Sequence, residues 1–395
     1  MRSGSSGSPN WKCRSRRIAS GRCCKRGCVK LRDWILRLAR RSPRRKDARL
    51  RHRGAATHVI ILDGTMSSLR RGRETNAGKT FKLLREVGLT ANLTVYYEAG
   101  IQWPDWSSTL DVMMGRGINR QIERAYGVLA SRWRDGDRII LVGYSRGAYA
   151  VRSLAGLIGR VGLVRHNDAN VRNIRQAYRH YRIGADTRTI ADFRSAFCHH
   201  DVQIEAVCVW DTVKALGLRL PILWRWTEAR HSFHDHALGP QVRNGFHALA
   251  LDETREVFAP ILWRTDSARP GRIEQVWFKG THGDVGGQIN DMLEARPLAN
   301  IPLVWMLERL VMSGVPLPDG WQARFPCDPS APSIGTWRGW GKIFVIRERR
   351  ICGTDPSERL HPTVDREVPG LSARSQALNA PSGQEPEGKV DQATS

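Results

Sequence analysis

The feature that most constrains this sequence is a serine flanked by glycines that stands between a buried strand and a helix. The apolar run Arg138–Val142 leads straight into Gly143-Tyr144-Ser145-Arg146-Gly147, and a helical pattern follows over Ala148–Val161. A turn this tight accepts only small residues two positions either side of the serine, and Gly143 and Gly147 meet that need. It also lifts the hydroxyl above the strand ends and points the next helix N-terminus at a developing oxyanion. The pattern therefore predicts a nucleophile elbow.

Strands alternate with helices along most of the chain. Short apolar runs predict strands at Thr57–Leu62, Leu93–Glu98, Arg138–Val142, Ile204–Trp210 and Arg272–Phe278. Helical spacing predicts helices at Thr75–Val87, Gly117–Arg134, Ala148–Val161, Val171–Tyr181, Thr189–Phe197, Gln241–Phe258 and Ile301–Ser313. This alternation favours a mostly parallel sheet with helices on both faces. We therefore expect one α/β-hydrolase-like catalytic domain over residues 55–350.

The two ends of the chain differ from this domain in composition. Residues 1–54 hold 19 lysines and arginines against two acidic residues. The net charge of +25 therefore belongs mostly to this arm, and it does not indicate specific nucleic-acid binding. Residues 351–395 are rich in Pro, Ser, Gln and Glu. We expect a basic, disordered arm and a disordered tail.

One short piece of the arm has helical spacing. Its apolar residues are Leu31, Trp34, Ile35 and Leu38, and arginines surround them. This is the pattern of a basic amphipathic helix that lies on an anionic membrane. A solvated arm, or a start codon placed too far upstream, is the alternative that stays open.

A serine needs a base and an acid before it becomes a nucleophile. In an α/β-hydrolase they follow the serine in the order acid, then histidine, each after a strand. Asp211 directly follows the strand that ends at Trp210, and His282 lies in the glycine-rich loop after Arg272–Phe278. Asp252 competes for the role of acid, but its predicted mid-helix position makes it a poor candidate. Asp284 also competes, and its alternative role is to brace the histidine loop.

Two backbone N–H groups are expected to form the oxyanion hole. One belongs to Arg146, the residue after the serine. The other comes from the loop after the first strand, where Gly64 and Thr65 stand. Asp63 opens that loop and is expected to hold the turn through its own hydrogen bonds.

No cofactor or metal is expected. His231, His234 and His236 have metal-like spacing, but they lie in a loop without nearby cysteines. The eight cysteines form neither a zinc pattern nor a disulfide framework, which favours a reducing compartment. We expect no signal peptide, because no apolar region follows the positive N-terminus, and no apolar run reaches the roughly 18 residues of a membrane span. We expect a protein that is cytoplasmic as synthesised, and no pattern indicates an oligomeric state.

Taken together, these motifs resemble an α/β-hydrolase-domain family that includes the catalytic domains of type VI secretion phospholipase effectors. The resemblance runs from about His58 to Leu317. It rests on the DGT turn at Asp63, YYEAG at Tyr96, GDRIILVGYSRGAYAVR around Ser145, VWDTVKALG around Asp211, HALALDETREVFAPILW, GTHGDVGG around His282 and LANIPLVWMLERL. It implies that Ser145, Asp211 and His282 form a triad. The large membrane-targeting modules of the secreted effectors have no counterpart in this sequence, so export by a secretion system that needs no signal peptide stays open.

Two positions depart from the family pattern. Met66-Ser67-Ser68 replaces the asparagine usual after the DGT turn, and Gln288 replaces a glycine after the histidine loop. Neither removes a triad member, but both leave the shape of the pocket open.

The residues between the acid and the next helix suggest a lid-like insertion. Ala215–Pro240 is rich in apolar and basic residues, and Trp224, Trp226 and Phe233 are candidates to shelter acyl chains. A phospholipase or lipase that contacts anionic membranes peripherally is the favoured function. A soluble esterase or thioesterase for small acyl substrates is the alternative, followed by an inactive interaction module.

Overall fold

The computed structural model describes residues 54–88, 92–100, 116–213, 238–265, 271–337 and 347–371. The chain divides into two units, Met1–His52 and Arg53–Ser395, and the described residues all belong to the second. Its centre is a seven-stranded sheet in the order β2-β1-β3-β4-β5-β6-β7, in which all neighbours are parallel. The strands are β1 (Thr57–Leu62), β2 (Leu93–Glu98), β3 (Arg138–Tyr144), β4 (Ile204–Trp210), β5 (Val242–Ala250), β6 (Arg272–Phe278) and β7 (Glu358–Leu360).

Helices cover both faces of this sheet. They are α1 (Asn76–Glu86), α2 (Arg116–Arg132), α3 (Arg146–Val161), α4 (Val171–Ile183), α5 (Thr187–Phe197), α6 (His282–Gly286) and α7 (Arg296–Met312). Because successive strand residues point to opposite faces, Ile60 and Leu62 pack in one core with α2 to α5. Val59 and Ile61 pack in a second core with α1 and α7. The expected α/β-hydrolase-like class, with a parallel sheet between two helical layers, is confirmed.

The expectation of a helix over Gln241–Phe258 is wrong. Residues Val242–Ala250 form β5, which lies between β4 and β6, and all of its residues from Gly245 onward are buried. A strand buried on both faces has no alternation of polar and apolar residues, so its pattern cannot be distinguished from that of a buried helix. The pattern of apolar residues therefore indicates that the segment is buried, but it does not show whether the segment is a helix or a strand.

The fold continues beyond the expected end of the domain at residue 350. Strand β7 pairs with β6, and Leu371 is buried in a small core with Trp277. The polar composition that suggested a tail includes buried polar groups that are paired. The indole N–H of Trp277, for example, donates to a Glu358 carboxylate oxygen at 2.8 Å. The expectations for residues 1–53 and 372–395 lie outside the described residues.

Within the described ranges, no helix combines the length and the apolar character that crossing a bilayer requires.

Candidate active site

The turn at Ser145 is held in a conformation that L-residues rarely adopt. Ser145 has a φ of 57° and a ψ of −119°, and it stands between β3 and α3. A Cβ atom on Gly143 would lie 2.6 Å from Ala148 Cα, and one on Gly147 would lie 2.1 Å from the Leu62 carbonyl oxygen. Any side chain at either position would collide with backbone atoms, so both positions require glycine. The turn has the geometry expected of a nucleophile elbow.

Ser145, His282 and Asp211 lie in one hydrogen-bonded chain. His282 Nδ1 is 2.6 Å from Asp211 Oδ2, and His282 Nε2 is 2.9 Å from Ser145 Oγ. An ionised carboxylate only accepts hydrogen bonds, so Nδ1 carries the proton and Nε2 accepts from the serine hydroxyl. All three side chains are buried. The arrangement can move the serine proton to the imidazole.

Three strand ends bring these residues together. Ser145 follows β3, Asp211 follows β4, and His282 begins α6 shortly after β6. The carboxyl ends of neighbouring parallel strands share one edge of the sheet, so residues that are far apart in sequence meet there. Asp211 itself has a φ of 40°, an uncommon value for a residue other than glycine.

The two competing aspartates have other partners. Asp284 caps α6, since its Oδ2 accepts from the backbone N–H and the hydroxyl of Thr281, each at 2.8 Å. It therefore braces the histidine loop. Asp252 lies in the turn after β5 rather than within a helix, which corrects its expected setting. Its Oδ2 accepts from Gly280 N at 2.6 Å, and its Oδ1 pairs with Arg366.

The carboxylate of Asp211 is also clamped by Arg350. Nη1 of Arg350 lies 2.5 Å from Asp211 Oδ1, and Nη2 lies 2.9 Å from Oδ2. The Ala250 N–H donates a further bond to Oδ1 at 3.1 Å. Burial alone would raise the pKa of Asp211, but the charge of Arg350 and the hydrogen bonds from His282 and Arg350 outweigh it and lower the pKa well below its ordinary value. The acid therefore stays ionised although it is fully buried.

Sequence patterns do not predict Arg350. It is one of three arginines within Arg347–Arg350, and it belongs to no motif. Its side chain is only 4 % exposed. Only the packing of this segment against the ends of the strands identifies it.

Aromatic rings and a second carboxylate fix His282. Its ring stacks against Phe258, with ring centroids 4.6 Å apart, and against Tyr144 at 5.0 Å. Its backbone N–H donates to Glu253 Oε2 at 3.1 Å. Burial tends to raise the pKa of Glu253, but hydrogen bonds and charge from Arg255 lower it overall. His282 is thus fixed through its backbone N–H, through both neighbouring aromatic rings and through the hydrogen bond at Nδ1.

The turn after β1 lies directly against the serine. A Cβ atom on Gly64 would be 2.6 Å from the Tyr144 ring and 3.4 Å from Ser145 Cβ. The Gly64 N–H already donates to Asp63 Oδ1 at 2.7 Å. Within the described part of the chain, the backbone N–H groups of Arg146 and Thr65 donate to no other group. Of the three expected oxyanion donors, Arg146 and Thr65 therefore fit the role, and Gly64 is engaged elsewhere.

Asp63 has the structural role expected of it. Its carboxylate accepts from Thr75 Oγ1 at 2.6 Å and from the Tyr97 hydroxyl at 2.8 Å. Burial raises the pKa of Asp63 to about 6, against these hydrogen bonds, which lower it. The residue ties β1, β2 and the start of α1 to the turn.

Gln288, which departs from the family pattern, also contacts this turn. Its amide N–H donates to the Thr65 carbonyl at 3.1 Å, and the Tyr144 hydroxyl donates to its amide oxygen at 3.3 Å. A glycine at this position would provide neither bond. The side chain thus links the segment after α6 to the expected oxyanion turn.

Residues 57–309 match the sequence model of the catalytic domain of Tle1-like phospholipase effectors of the type VI secretion system, and this match covers more than half of the chain. The chain belongs to this family. An uncharacterised Saccharomyces cerevisiae protein, YEL023C, is 28% identical over 232 residues. That match covers 52% of this chain and 33% of the yeast protein, so this chain spans about a third of its length.

Two solved structures are similar to parts of this chain. An uncharacterised Pseudomonas aeruginosa protein has a TM-score of 0.41 at 16% identity, over 76% of this chain and 52% of that one. An esterase from Thermogutta terrifontis has a TM-score of 0.36 at 14% identity, over 69% and 87%. The family assignment rests on the match over residues 57–309 alone.

Several candidate residues lie outside the described residues. These are the lid residues Trp224, Trp226 and Phe233, together with His231, His234 and His236. The expected lid therefore stays a prediction. In the ranges that the structure does describe, no group of three or more histidine, cysteine or acidic side chains is arranged to hold a metal ion.

Proposed function

We propose that this Tle1-like chain is a serine hydrolase that cleaves carboxylic esters. Ser145 Oγ attacks the ester carbonyl while His282 Nε2 takes its proton, and Asp211 stabilises the imidazolium that forms. The N–H groups of Arg146 and Thr65 donate to the oxyanion. His282 then returns the proton to the departing alcohol, and a water molecule activated by His282 releases the acid from Ser145. The observation that carries this proposal is the hydrogen-bonded chain from Ser145 to Asp211 at a strained elbow.

The Ser145→Ala variant tests this function. We expect it to fold normally and to lose about 10⁴- to 10⁶-fold in turnover of a p-nitrophenyl ester. Turnover within tenfold of the wild type, at unchanged thermal stability, would mean that Ser145 is not the nucleophile. The family membership favours the same chemistry, because the family consists of phospholipase effector domains.

The substrate class we favour is a glycerophospholipid, cleaved at an acyl ester. Among the described residues the Arg146 side chain forms no hydrogen bond or ion pair, and burial lowers its pKa to about 10. A partly buried guanidinium that has no partner among the described residues, on the residue next to the nucleophile, favours an anionic ligand such as a phosphodiester. The Trp-rich segment around Trp224 is the expected wall for acyl chains.

The Arg146→Gln variant separates this substrate from a small neutral ester. It keeps the backbone N–H but removes the positive charge. We expect hydrolysis of phosphatidylglycerol in mixed micelles to fall about tenfold or more relative to hydrolysis of p-nitrophenyl butyrate. If both activities fall equally, or if the wild type prefers acetate and releases no fatty acid, the alternative of a small-substrate esterase takes its place.

Helix α4 supports peripheral contact with an anionic membrane. It contains no acidic residue, and within the described ranges its exposed arginines form no ion pair. These arginines are Arg172, Arg175, Arg179 and Arg182. Val171 and Ile183, at its two ends, are 63% and 55% exposed. Each cation near an anionic surface contributes about 1 kcal/mol, and exposed apolar side chains add to this.

Sedimentation with vesicles tests the contact. Reversal of charge at Arg172, Arg175 and Arg179 should weaken binding to phosphatidylglycerol vesicles by a factor of 100 or more, about 1 kcal/mol for each charge lost. The matched control reverses Arg71, Arg85 and Arg132, which are also exposed but lie outside α4. Equal losses in the two triple variants would show that only total charge matters and that α4 is not the contact.

A further inference from the structure

Arg350 lies beyond residues 57–309, the part of the chain that matches the family, yet its guanidinium contacts the triad. It contacts both carboxylate oxygens of Asp211, including Oδ2, which also accepts the hydrogen bond from His282. Nη1 donates to Asp211 Oδ1 and to the Ala250 carbonyl at 2.7 Å, and Nη2 donates to Asp211 Oδ2 and to the Phe258 carbonyl at 2.5 Å. Four of its five N–H donors are therefore satisfied by one carboxylate and two fixed backbone oxygens.

This set of acceptors suits a guanidinium and no other side chain. The planar fork of arginine reaches both carboxylate oxygens at once, whereas the single ammonium of a lysine cannot reach both oxygens and both carbonyls. The carboxylate cannot rotate while it is held at both oxygens. Its Oδ2 is thereby kept facing His282 Nδ1 at 2.6 Å.

The positive charge matters as much as the geometry. Asp211 is fully buried, and a buried carboxylate without a cation tends to take up a proton. The positive charge of Arg350 also partly cancels the negative charge of Asp211 in the electrostatic potential at the His282 ring. Removing Arg350 would therefore raise the proton affinity of the Asp211–His282 pair, whichever of the two residues holds the proton.

The other charged and titratable groups around the pair do not replace this charge. Glu253 contacts the His282 backbone, and its own charge is balanced by Arg255 in a salt bridge. His247 accepts a hydrogen bond from the Thr212 N–H, and burial lowers its pKa to about 3, so it is neutral. Burial keeps the Tyr144 phenol neutral by raising its pKa. Arg350 is therefore the cation that faces Asp211 within the described residues.

We propose that Arg350 is a positioning residue for the triad, which holds Asp211 ionised and turned towards His282. This inference rests on the proposed hydrolase function. It also assigns a role in the active site to the segment that follows the family's matched region.

The test is the pH profile of kcat/KM for p-nitrophenyl butyrate. In Arg350→Gln we expect the acidic limb to move to higher pH by about 1 to 3 units, and the plateau to fall about 10- to 100-fold. Arg350→Lys keeps the charge but not the fork, so its plateau should fall while its acidic limb stays near that of the wild type. Arg347→Gln is the matched control, since Arg347 lies in the same segment but contacts Thr254, Thr336 and Trp337. Its acidic limb should not move.

A limb that stays in place in Arg350→Gln, with only a lower plateau, would overturn the proposal, because a purely structural role lowers the rate equally at every pH. If that variant does not fold, the same substitution is made together with Asp211→Asn. The proposal predicts that the double variant folds, because no uncompensated buried charge remains, and a double variant that is also unfolded refutes it. An inactive wild type that a fluorophosphonate does not label at Ser145 would instead indicate that the proposed function has failed.

Discussion

Replacing Asp211 by asparagine is the most informative single change in the site. The two carboxylate oxygens accept four hydrogen bonds, two from Arg350 and one each from His282 and the Ala250 N–H. An asparagine provides one oxygen and one NH₂ group. If the NH₂ replaces Oδ1, it faces two donors, Arg350 Nη1 and Ala250 N. If it replaces Oδ2, it faces only Arg350 Nη2, and the imidazole must turn from donor to acceptor at Nδ1.

The second orientation is therefore favoured, because each donor–donor conflict costs about 1–3 kcal/mol. It places the imidazole proton on Nε2, which then cannot accept the proton of Ser145. We expect kcat to fall about 10⁴-fold, which corresponds to about 5 kcal/mol of barrier. The free energy of unfolding should also fall by about 3–5 kcal/mol, because the buried guanidinium of Arg350 loses its counter-charge.

The assay is steady-state hydrolysis of p-nitrophenyl butyrate at a pH on the plateau of the wild type, with thermal melting as the check on folding. Glu253→Gln is a useful comparison, since Glu253 contacts His282 through the backbone N–H rather than the ring. Its effect on kcat should be much smaller than that of Asp211→Asn. An Asp211→Asn protein that folds and keeps more than a tenth of the wild-type kcat would refute this account of how the imidazole is oriented.

Three further predictions concern the frame around the site. Gly147→Ala places a methyl group 2.1 Å from the Leu62 carbonyl oxygen, so we expect a loss of about 1–3 kcal/mol in a urea titration and of about 100-fold in kcat, and an unchanged kcat would contradict the close packing. Because the folded-state pKa of Asp63 is raised to about 6, its contribution to stability is greatest below about pH 4 and is lost as the pH rises through 6. The stability of the wild type relative to Asp63→Asn should then fall by about 3 kcal/mol between pH 4 and pH 7, and a constant difference would argue against a protonated Asp63. Removal of residues 1–54 should leave the melting temperature and the turnover of soluble esters unchanged, because the first strand of the described residues begins at Thr57, and loss of cooperative melting would disprove this.

The residues that the sequence predicts best are those with a local signal. The elbow at Ser145 needs small neighbours within two positions, and those neighbours are visible in the motif. Asp211 and His282 are each predicted by their place after an apolar run. In a parallel sheet such places meet at one edge, so a one-dimensional pattern is enough to bring three distant residues together.

The features that the sequence does not predict are those without such a signal. Strand β5 resembles a helix because it is buried on both faces, and the three-residue strand β7 is too short and too polar to show a pattern. Arg350 is recognisable only through contacts with Asp211 and two carbonyl groups far away in the sequence. Long-range pairing of this kind leaves no trace in periodicity or composition.

Identification of the residue that a fluorophosphonate labels, with phospholipid hydrolysis followed in the same sample, tests the central claim most directly. The proposed function predicts a single adduct at Ser145, with the release of fatty acid from phosphatidylglycerol micelles falling in step with labelling. It also predicts that no adduct forms in His282→Ala, because the serine then has no base to take its proton. An adduct on another residue, or hydrolysis that survives complete labelling of Ser145, would contradict the claim that this triad is the active site.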